Sequence, residues 1–308
     1  MSTERSGKFT NPVFTYLKEV NNLRQDTWLG YFLVLPATIV IGVIILYPLL
    51  QAMMMGFHEV AFHRPTDMTW VGLSNYRTMM ADPGFWNAFR NSVILTVAGV
   101  SAQYILGLGL ALVLQKDIRG IRTIRTISML PWVTPLVVIV FMFQWLVHPR
   151  YGIVNNVLML FGISPSYWLG DPTWAFPMVI FMHVYNAIPF YAIVLLAAMQ
   201  SIPDTLYEAA KLDGASKIQQ FRYITLPNLS YVSMILIVMH VIFAFNSFTI
   251  IYVGTGGGPM NVTEVLSVYI YSEAFVSLTM GYAAAVGMVM LVILLAFTAI
   301  YVKLEGVE

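Results

Sequence analysis

The chain has no cysteine among its 308 residues, which excludes disulfides, thiolate metal sites and a cysteine nucleophile, and leaves the redox compartment open. Charge is almost as scarce. Only 10% of residues are charged, 16 basic and 15 acidic, while 58% are hydrophobic, against soluble averages of about 25% charged and about 45–50% apolar. So few charges cannot cover the outside of a soluble domain of this length, so lipid is the solvent for most of the chain. A net charge of +1 recommends no nucleic acid as partner. No Gly-x-x-x-x-Gly-Lys-Ser/Thr occurs, and Gly7–Lys8 is followed by Phe9, so the chain cradles no ATP phosphates. Gly254–Pro259 fails the dinucleotide pattern because Pro259 takes the last glycine position. His58, Glu59 and His63 miss the zinc-protease spacing, since five residues set two histidines about 140° apart on a helix. No cofactor or metal is expected on this chain.

Six runs lack Asp, Glu, Lys and Arg: Thr27–His58, Asn91–Gln115, Thr126–Pro149, Pro172–Pro203, Tyr223–Thr263 and Ala274–Val302. Each exceeds the roughly 20 residues that cross a hydrocarbon core as a helix. The first starts behind a charged leader and is too long for a signal-peptide core of about 7–15 residues. The fifth is too long for one helix, and Gly254–Pro259 should end its membrane part. The expected fold is therefore all-α, a polytopic membrane protein with six transmembrane helices. Its parts are a leader at 1–27, a membrane domain at 28–303 containing a polar loop at 200–227, and a tail at 304–308. Apolar Val13, Phe14, Tyr16, Leu17, Val20 and Leu23 form nearly a helical stripe, fitting either an amphipathic surface helix or a partly ordered tail.

Basic residues of short connections collect on the cytoplasmic side. Arg5, Lys8, Lys18, Arg24, Lys116, Arg119, Arg122, Arg125, Lys211, Lys217, Arg222 and Lys303 fall on one face, and Arg64, Arg77, Arg90 and Arg150 on the other. Both termini and the 200–227 loop are thereby expected in the cytoplasm. The Arg119, Arg122, Arg125 row fits this bias and equally suits contact with anionic lipid. The longest outside connection, Glu59–Asn87, holds Trp70, Tyr76, Phe85 and Trp86, an interfacial aromatic belt or a receiving surface for another protein.

The polar loop carries Glu208–Ala209–Ala210, then Gly214, then Ile224–Thr225–Leu226–Pro227. With Thr225 left free, the seven fixed positions co-occur by chance on the order of once in 10^5 to 10^6 chains of this length. Ser201 and Asp204 have capping-box spacing, so a helix should begin near Ser201, with Pro203 in its first turn. Gly214 stands where that helix needs positive φ, and Ala215–Tyr223 can form a second short helix before Pro227 opens the next span. The expected shape is a two-helix knob, small-sided at Ala209 and Ala210, with Glu208 at its rim.

On these residues the chain resembles the membrane-spanning permease subunits of bacterial ATP-binding-cassette importers, and most closely the first permease of the maltose and glycerol-phosphate importer type. Ile202–Pro203–Asp204, Leu206–Tyr207–Glu208, Asp213–Gly214–Ala215, Gly257–Gly258–Pro259, Tyr269–Ile270–Tyr271 and Gly281–Ala285 support the likeness. The resemblance implies that Glu208, Ala209, Ala210, Asp213 and Gly214 couple the permease to a cytoplasmic ATPase. It also implies a second permease subunit, two ATP-binding subunits holding ATP and Mg, an external sugar-binding protein or lipoprotein, and a place in the bacterial inner membrane. The chain itself would be a transport subunit, not an enzyme.

A carrier holds its cargo near the bilayer midplane. Tyr185, Asn186, Pro189 and Phe190 fall there in the fourth run, and His240, Ala244 and Ser247 share a helical face in the fifth, with Asn246 and Thr249 beside it. Amides, hydroxyls and imidazole suit sugar hydroxyls, and rings suit the apolar face of a sugar. Helix–helix hydrogen bonding is the competing use of such residues, and for the lone His183 packing is the expectation. Pro131, Pro135, Pro177 and Pro189 should interrupt the third and fourth helices. The absence of intramembrane carboxylates speaks against an ion-coupled carrier, and the absence of any charge near the midplane speaks against glycerol phosphate or a polyamine; a neutral carbohydrate fits best, with a polyol as the alternative cargo.

Overall fold

The computed structural model describes residues 28, 30–61, 64–116 and 119–304; the expectation of a leader helix lies outside these residues. The chain divides into two compact units, 1–54 and 55–308. Helix α1, Gly30–Met55, belongs almost wholly to the first; it is apolar on every face, none of its most apolar window is buried, and it contains a π turn at Gly42–Leu46.

In the second unit β1 (His58–Ala61) and β2 (Arg64–Trp70) pair antiparallel, with His58 opposite Trp70. This small hairpin, inside the long connection, is an addition to the expected all-α plan. Helix α2 (Ser74–Ala81) follows, then α3 (Pro83–Leu114), α4 (Ile121–Val133) and α5 (Leu136–Leu146). After α6 (Ile153–Leu160) come α7 (Ala175–Gln200), α8 (Asp204–Leu212) and α9 (Lys217–Phe245). The last helices are α10 (Thr249–Gly254), α11 (Leu266–Val276) and α12 (Met280–Leu304). Among the described residues five helices are long and apolar enough to cross a membrane, α1, α3, α7, α9 and α12, and the bent pair α4–α5 brings the count to six where it is taken as one broken span.

Two expectations about breaks change. The third span is split at Thr134–Pro135, where α4 and α5 meet at 96°, because proline has no N–H and bars helical geometry to its predecessor. The fourth is not interrupted: Pro177 lies in the first turn of α7, and the helix continues through Pro189 to Gln200. In the fifth, the break precedes Gly254. Helix α9 stops at Phe245, and α10 starts four residues later at Thr249.

α3 and α7 form the central pair. They approach so closely at Gly107 that a Cβ there would lie 2.4 Å from Tyr191 Cβ and 3.3 Å from the Ile188 carbonyl oxygen, the small-residue contact that lets helices associate without a hydrophobic drive. Leu108, Ala111, Leu114, Tyr191, Leu195 and Leu229 fill one core at this crossing. A second core, with Ile139, Val140, Phe143, Met182, Ile250 and Ile251, packs α5 and α10 on α7. A third, with Met79, Phe85, Leu266, Val286 and Met290, gathers α2, α11 and α12 beside α3.

Polar ties fix the end of the bundle away from the 200–227 loop. Asn91 Nδ2 donates to the carbonyls of Val262 at 3.1 Å and Glu264 at 2.9 Å, and Ser92 Oγ accepts from Leu266 N at 2.8 Å. Asp82 caps α3 by accepting from Gly84 N at 2.8 Å, and its Oδ2 also accepts from the Tyr282 hydroxyl at 2.8 Å and from that of Tyr269. Burial alone would raise the Asp82 pKa; the donors at Tyr269, Tyr282 and the Gly84 and Phe85 amides outweigh it and hold the carboxyl below its ordinary value. Burial, helped by the bond to Asp82, raises that of Tyr269. A depressed carboxylate stabilises the fold above its unfolded pKa of about 4, and the contribution is lost as pH falls through the lowered value. Asp82→Leu should therefore lower the thermal midpoint of purified protein by a few degrees at pH 7, with the gap to wild type closing toward pH 3. Differential scanning fluorimetry across that range checks it; a gap independent of pH would contradict this origin.

Candidate functional site

The chain holds two separate sites, a surface loop and an intramembrane cavity. In the loop, α8 begins at Asp204, not Ser201. Ser201 Oγ donates to the Ala198 carbonyl instead, and Pro203 stands at the N-cap without a side-chain bond. The capping box forms one element later, where Ser216 Oγ accepts from Gln219 N and Gln219 Oε1 from Ser216 N. Between them the chain turns on Gly214 at φ 79°. Ala215 N donates to the Ala210 carbonyl at 2.8 Å and Gly214 N to that of Lys211 at 3.1 Å, the paired bonds of a Schellman ending with glycine in the left-handed position. The expected second short helix is not separate: Lys217–Gln220 runs through a π turn at Phe221–Thr225 into the membrane helix, so α9 starts at Lys217, and Pro227 lies within it.

Glu208 and Ala209 are exposed and Ala210 half-buried. Asp213 is the C-cap residue. The Tyr207 hydroxyl, 3.0 Å from Thr225 Oγ1, ties α8 to the foot of α9. Sequence reasoning missed the loop's apolar tips, Leu212 at 90% and Ile218 at 79% exposure.

The cavity, about 420 Å³, lies where the two broken spans meet. Trp132 and Leu136 flank the α4–α5 break, and Asn246, Ser247, Phe248 and Thr249 form the α9–α10 break. Discontinuous helices are how irregular backbone is tolerated at membrane depth, provided it lines a cavity. α7 supplies His183, Asn186 and Phe190, and α9 supplies His240 and Phe243. Asn186 Nδ2 donates to the Pro131 carbonyl at 2.9 Å, which fixes the amide and leaves its oxygen to accept. His240 Nδ1 lies 3.0 Å from the Leu236 carbonyl, so Nδ1 carries the proton and Nε2 accepts. Its ring packs 4.3 Å from that of Tyr191 and 5.5 Å from that of Phe190, which stacks on Trp132 at 5.4 Å.

Six of the eight expected pathway residues, Asn186, Phe190, His240, Asn246, Ser247 and Thr249, therefore line one cavity. Two do not. Tyr185 points away, its ring against Phe143, and Ala244 is buried in packing; the shared face assumed for His240, Ala244 and Ser247 ends with the helix at Phe245. His183, for which packing is the expectation, also lines the cavity, and its buried Nε2 has no hydrogen-bond partner among the described residues. No Asp, Glu, Lys or Arg lines the cavity. The arrangement can hold a neutral, hydroxyl-rich molecule between rings and amides.

Comparison with known proteins places these features in a lineage. Residues 103–306 match the family described as binding-protein-dependent transport system inner membrane component. The sulfoquinovosyl glycerol transport system permease protein SmoG of Agrobacterium fabrum is 34% identical over 91% of this chain and 91% of its own length. The trehalose/maltose transport system permease protein MalF of Thermococcus litoralis is 34% identical over 91% and 94%. A crystal structure of a bacterial ABC transporter involved in import of the acidic polysaccharide alginate superposes with a TM-score of 0.81 at 25% identity, covering 94% of this chain and 98% of that one.

Proposed function

The chain belongs to the binding-protein-dependent transport system inner membrane components, and on that premise we propose that it is the permease through which an ATP-binding-cassette importer passes a neutral carbohydrate. The observation that carries the cargo is the cavity at the two helix breaks, walled by stacked Trp132 and Phe190, furnished with Asn186, His240, Asn246 and Ser247, and free of charged side chains. The transport proteins it resembles are named for sugar-containing cargo, which supports the same reading; the uncharged lining favours neutral sugars over an acidic polysaccharide.

Function is divided by geometry. Glu208, Ala209, Ala210, Asp213 and Gly214 form the docking loop, received in the cytoplasm by one of two ATP-binding subunits that hold ATP and Mg. Leu212 and Ile218 supply its apolar contact. This chain pairs with a second permease, receives cargo from an external sugar-binding protein, and lies multi-pass in a bacterial plasma membrane with both termini cytoplasmic. Closure of the ATPase pair moves α8, and through Tyr207 and Thr225 the foot of α9, so the α9–α10 break at the cavity changes shape. The permease itself carries out no bond chemistry.

Two measurements test this. In proteoliposomes holding the whole importer, uptake should require ATP, and the loaded binding protein should stimulate hydrolysis; uptake that survives ATP depletion would overturn the importer reading. An Asn186→Leu, His240→Leu double variant should raise the transport KM at least about tenfold, the loss of two hydrogen bonds of ~1 kcal/mol each, with ATPase stimulation retained. Unchanged KM would assign both residues to packing.

A further inference from the structure

A second cavity, about 560 Å³, opens at the other end of the helix pair α5–α10. Leu136 and Thr249 begin these helices at the midplane cavity, whereas Gln144, Trp145 and Gly254 end them at this one. Eight residues of α5 separate the two levels by about 12 Å, and the packed Ile139, Val140, Phe143, Ile250 and Ile251 lie between.

Its construction is specific. One wall is aromatic: the rings of His148 and Tyr151 stack at 3.5 Å and 10°, and Trp145 lies 5.5 Å from Tyr151. Tyr167 completes it from the loop after α6. The facing wall is polar backbone around Gly254 and Thr255, held by Gln144 Nε2, which donates to the Val253 and Gly254 carbonyls at 3.2 Å. Both aromatic loops are fixed from beneath by Asn155, itself wholly buried. Asn155 Nδ2 donates to the carbonyls of His148 at 3.3 Å and Ser166 at 3.0 Å, and Oδ1 accepts from Ser166 N and Trp168 Nε1. Two glycines complete the fit. A Cβ on Gly152 would strike the His148 backbone at 2.4 Å, and one on Gly170 the Tyr167 ring at 2.0 Å. Yet Trp145 is 68% and Tyr167 63% exposed. A buried amide and the close fit at Gly152 and Gly170 thus hold the His148 and Tyr167 loops in place beside large rings that bury little of themselves, which a membrane-anchoring belt does not require.

We infer that this cavity is an outer carbohydrate station, in which Trp145 and Tyr167 stack on the apolar faces of a sugar ring while the Gly254–Thr255 backbone meets its hydroxyls, and from which cargo descends to the midplane cavity. The station rests on the carbohydrate reading above. It needs no charge and no side chain of the midplane site, and its open aromatic face tolerates more than one sugar.

The test uses proteoliposomes with the complete importer and its binding protein, supplied with 14C-labelled maltose, trehalose, cellobiose and sucrose. For whichever is carried, a Trp145→Ala, Tyr167→Ala double variant should raise KM about tenfold, with thermal stability and ATPase stimulation by loaded binding protein at wild-type levels. Trp145→Phe with Tyr167→Phe should keep KM within about twofold, since the stacking faces remain. Gly170→Ala, which displaces the Tyr167 ring, should reproduce part of the rise. A wild-type KM in the alanine pair, or equal loss in the phenylalanine pair, overturns the station while leaving the carbohydrate reading intact. If wild type carries none of the four sugars, the carbohydrate reading falls and the station falls with it.

Discussion

Replacing Gly214 with valine is expected to cut ATP-driven uptake by more than about tenfold while leaving the amount of permease in the membrane unchanged. A Cβ at this position meets nothing within 4 Å, so the effect cannot come from crowding. It comes from φ 79°, which an L-residue reaches at a cost of about 1–2 kcal/mol and a β-branched residue only with more. Losing the left-handed residue removes the Schellman bonds from Ala215 to Ala210 and from Gly214 to Lys211, and Glu208 and Leu212 on α8 then lose their arrangement with Ile218 on α9, the surface proposed to dock on the ATPase. Asparagine tolerates this backbone region, so Gly214→Asn should keep a large part of the activity. Uptake assays with ATPase stimulation measured alongside decide the matter: valine should uncouple hydrolysis from the loaded binding protein and asparagine should not. Equal behaviour of the two would show that turn geometry is not what the loop requires.

The second large effect concerns assembly of the membrane core. Gly107→Leu should leave no monodisperse folded permease after extraction, and Gly107→Ala should lower the thermal midpoint measurably. Even a methyl group at Gly107 would lie 2.4 Å from Tyr191 Cβ, a backbone-proximal atom that no rotamer change removes. α3 and α7 must then separate, costing ~3 kcal/mol or more in lost packing around Leu108, Leu195 and Leu229. Gly109, two residues beyond on the same helix, has nothing within 4 Å of its missing Cβ; Gly109→Ala should be neutral or slightly stabilising. Size-exclusion profiles and melting curves of the three variants separate close helix approach from a general intolerance of α3 to substitution. Similar losses at 107 and 109 would refute the packing account.

The coupling loop was largely legible because its determinants are local. The spacing from Glu208 to Gly214 foretold a short helix closed by a left-handed glycine, since helix endings depend on the few residues that make the final hydrogen bonds. The same local rules misplaced the capping box. Ser201 and Ser216 both fit the pattern, and only the hydrogen bond from Ser201 to Ala198 reveals which serine is already engaged. Helix breaks were partly legible. Pro135 did break its span, but Pro189 was accommodated within α7, because surrounding protein decides whether a freed carbonyl is tolerated. Nothing local announced the break at Asn246–Phe248.

Sequence alone determined that the chain suits lipid, holds about six apolar runs long enough to cross it and carries a polar loop built as a short helix with a glycine ending, for these properties follow from transfer energies and short-range backbone geometry. Only the tertiary structure decided which polar residues meet. His183, expected to pack, joined Asn186 and His240 at a cavity, Ala244 and Tyr185 lie outside it, and Trp145 and Tyr167 line a second cavity, its loops tied by Asn155, that no spacing betrayed. A helical repeat fixes faces within one segment. Cavities arise where broken helices from distant parts of the sequence converge, and that convergence is set by close contacts such as Gly107 on Tyr191.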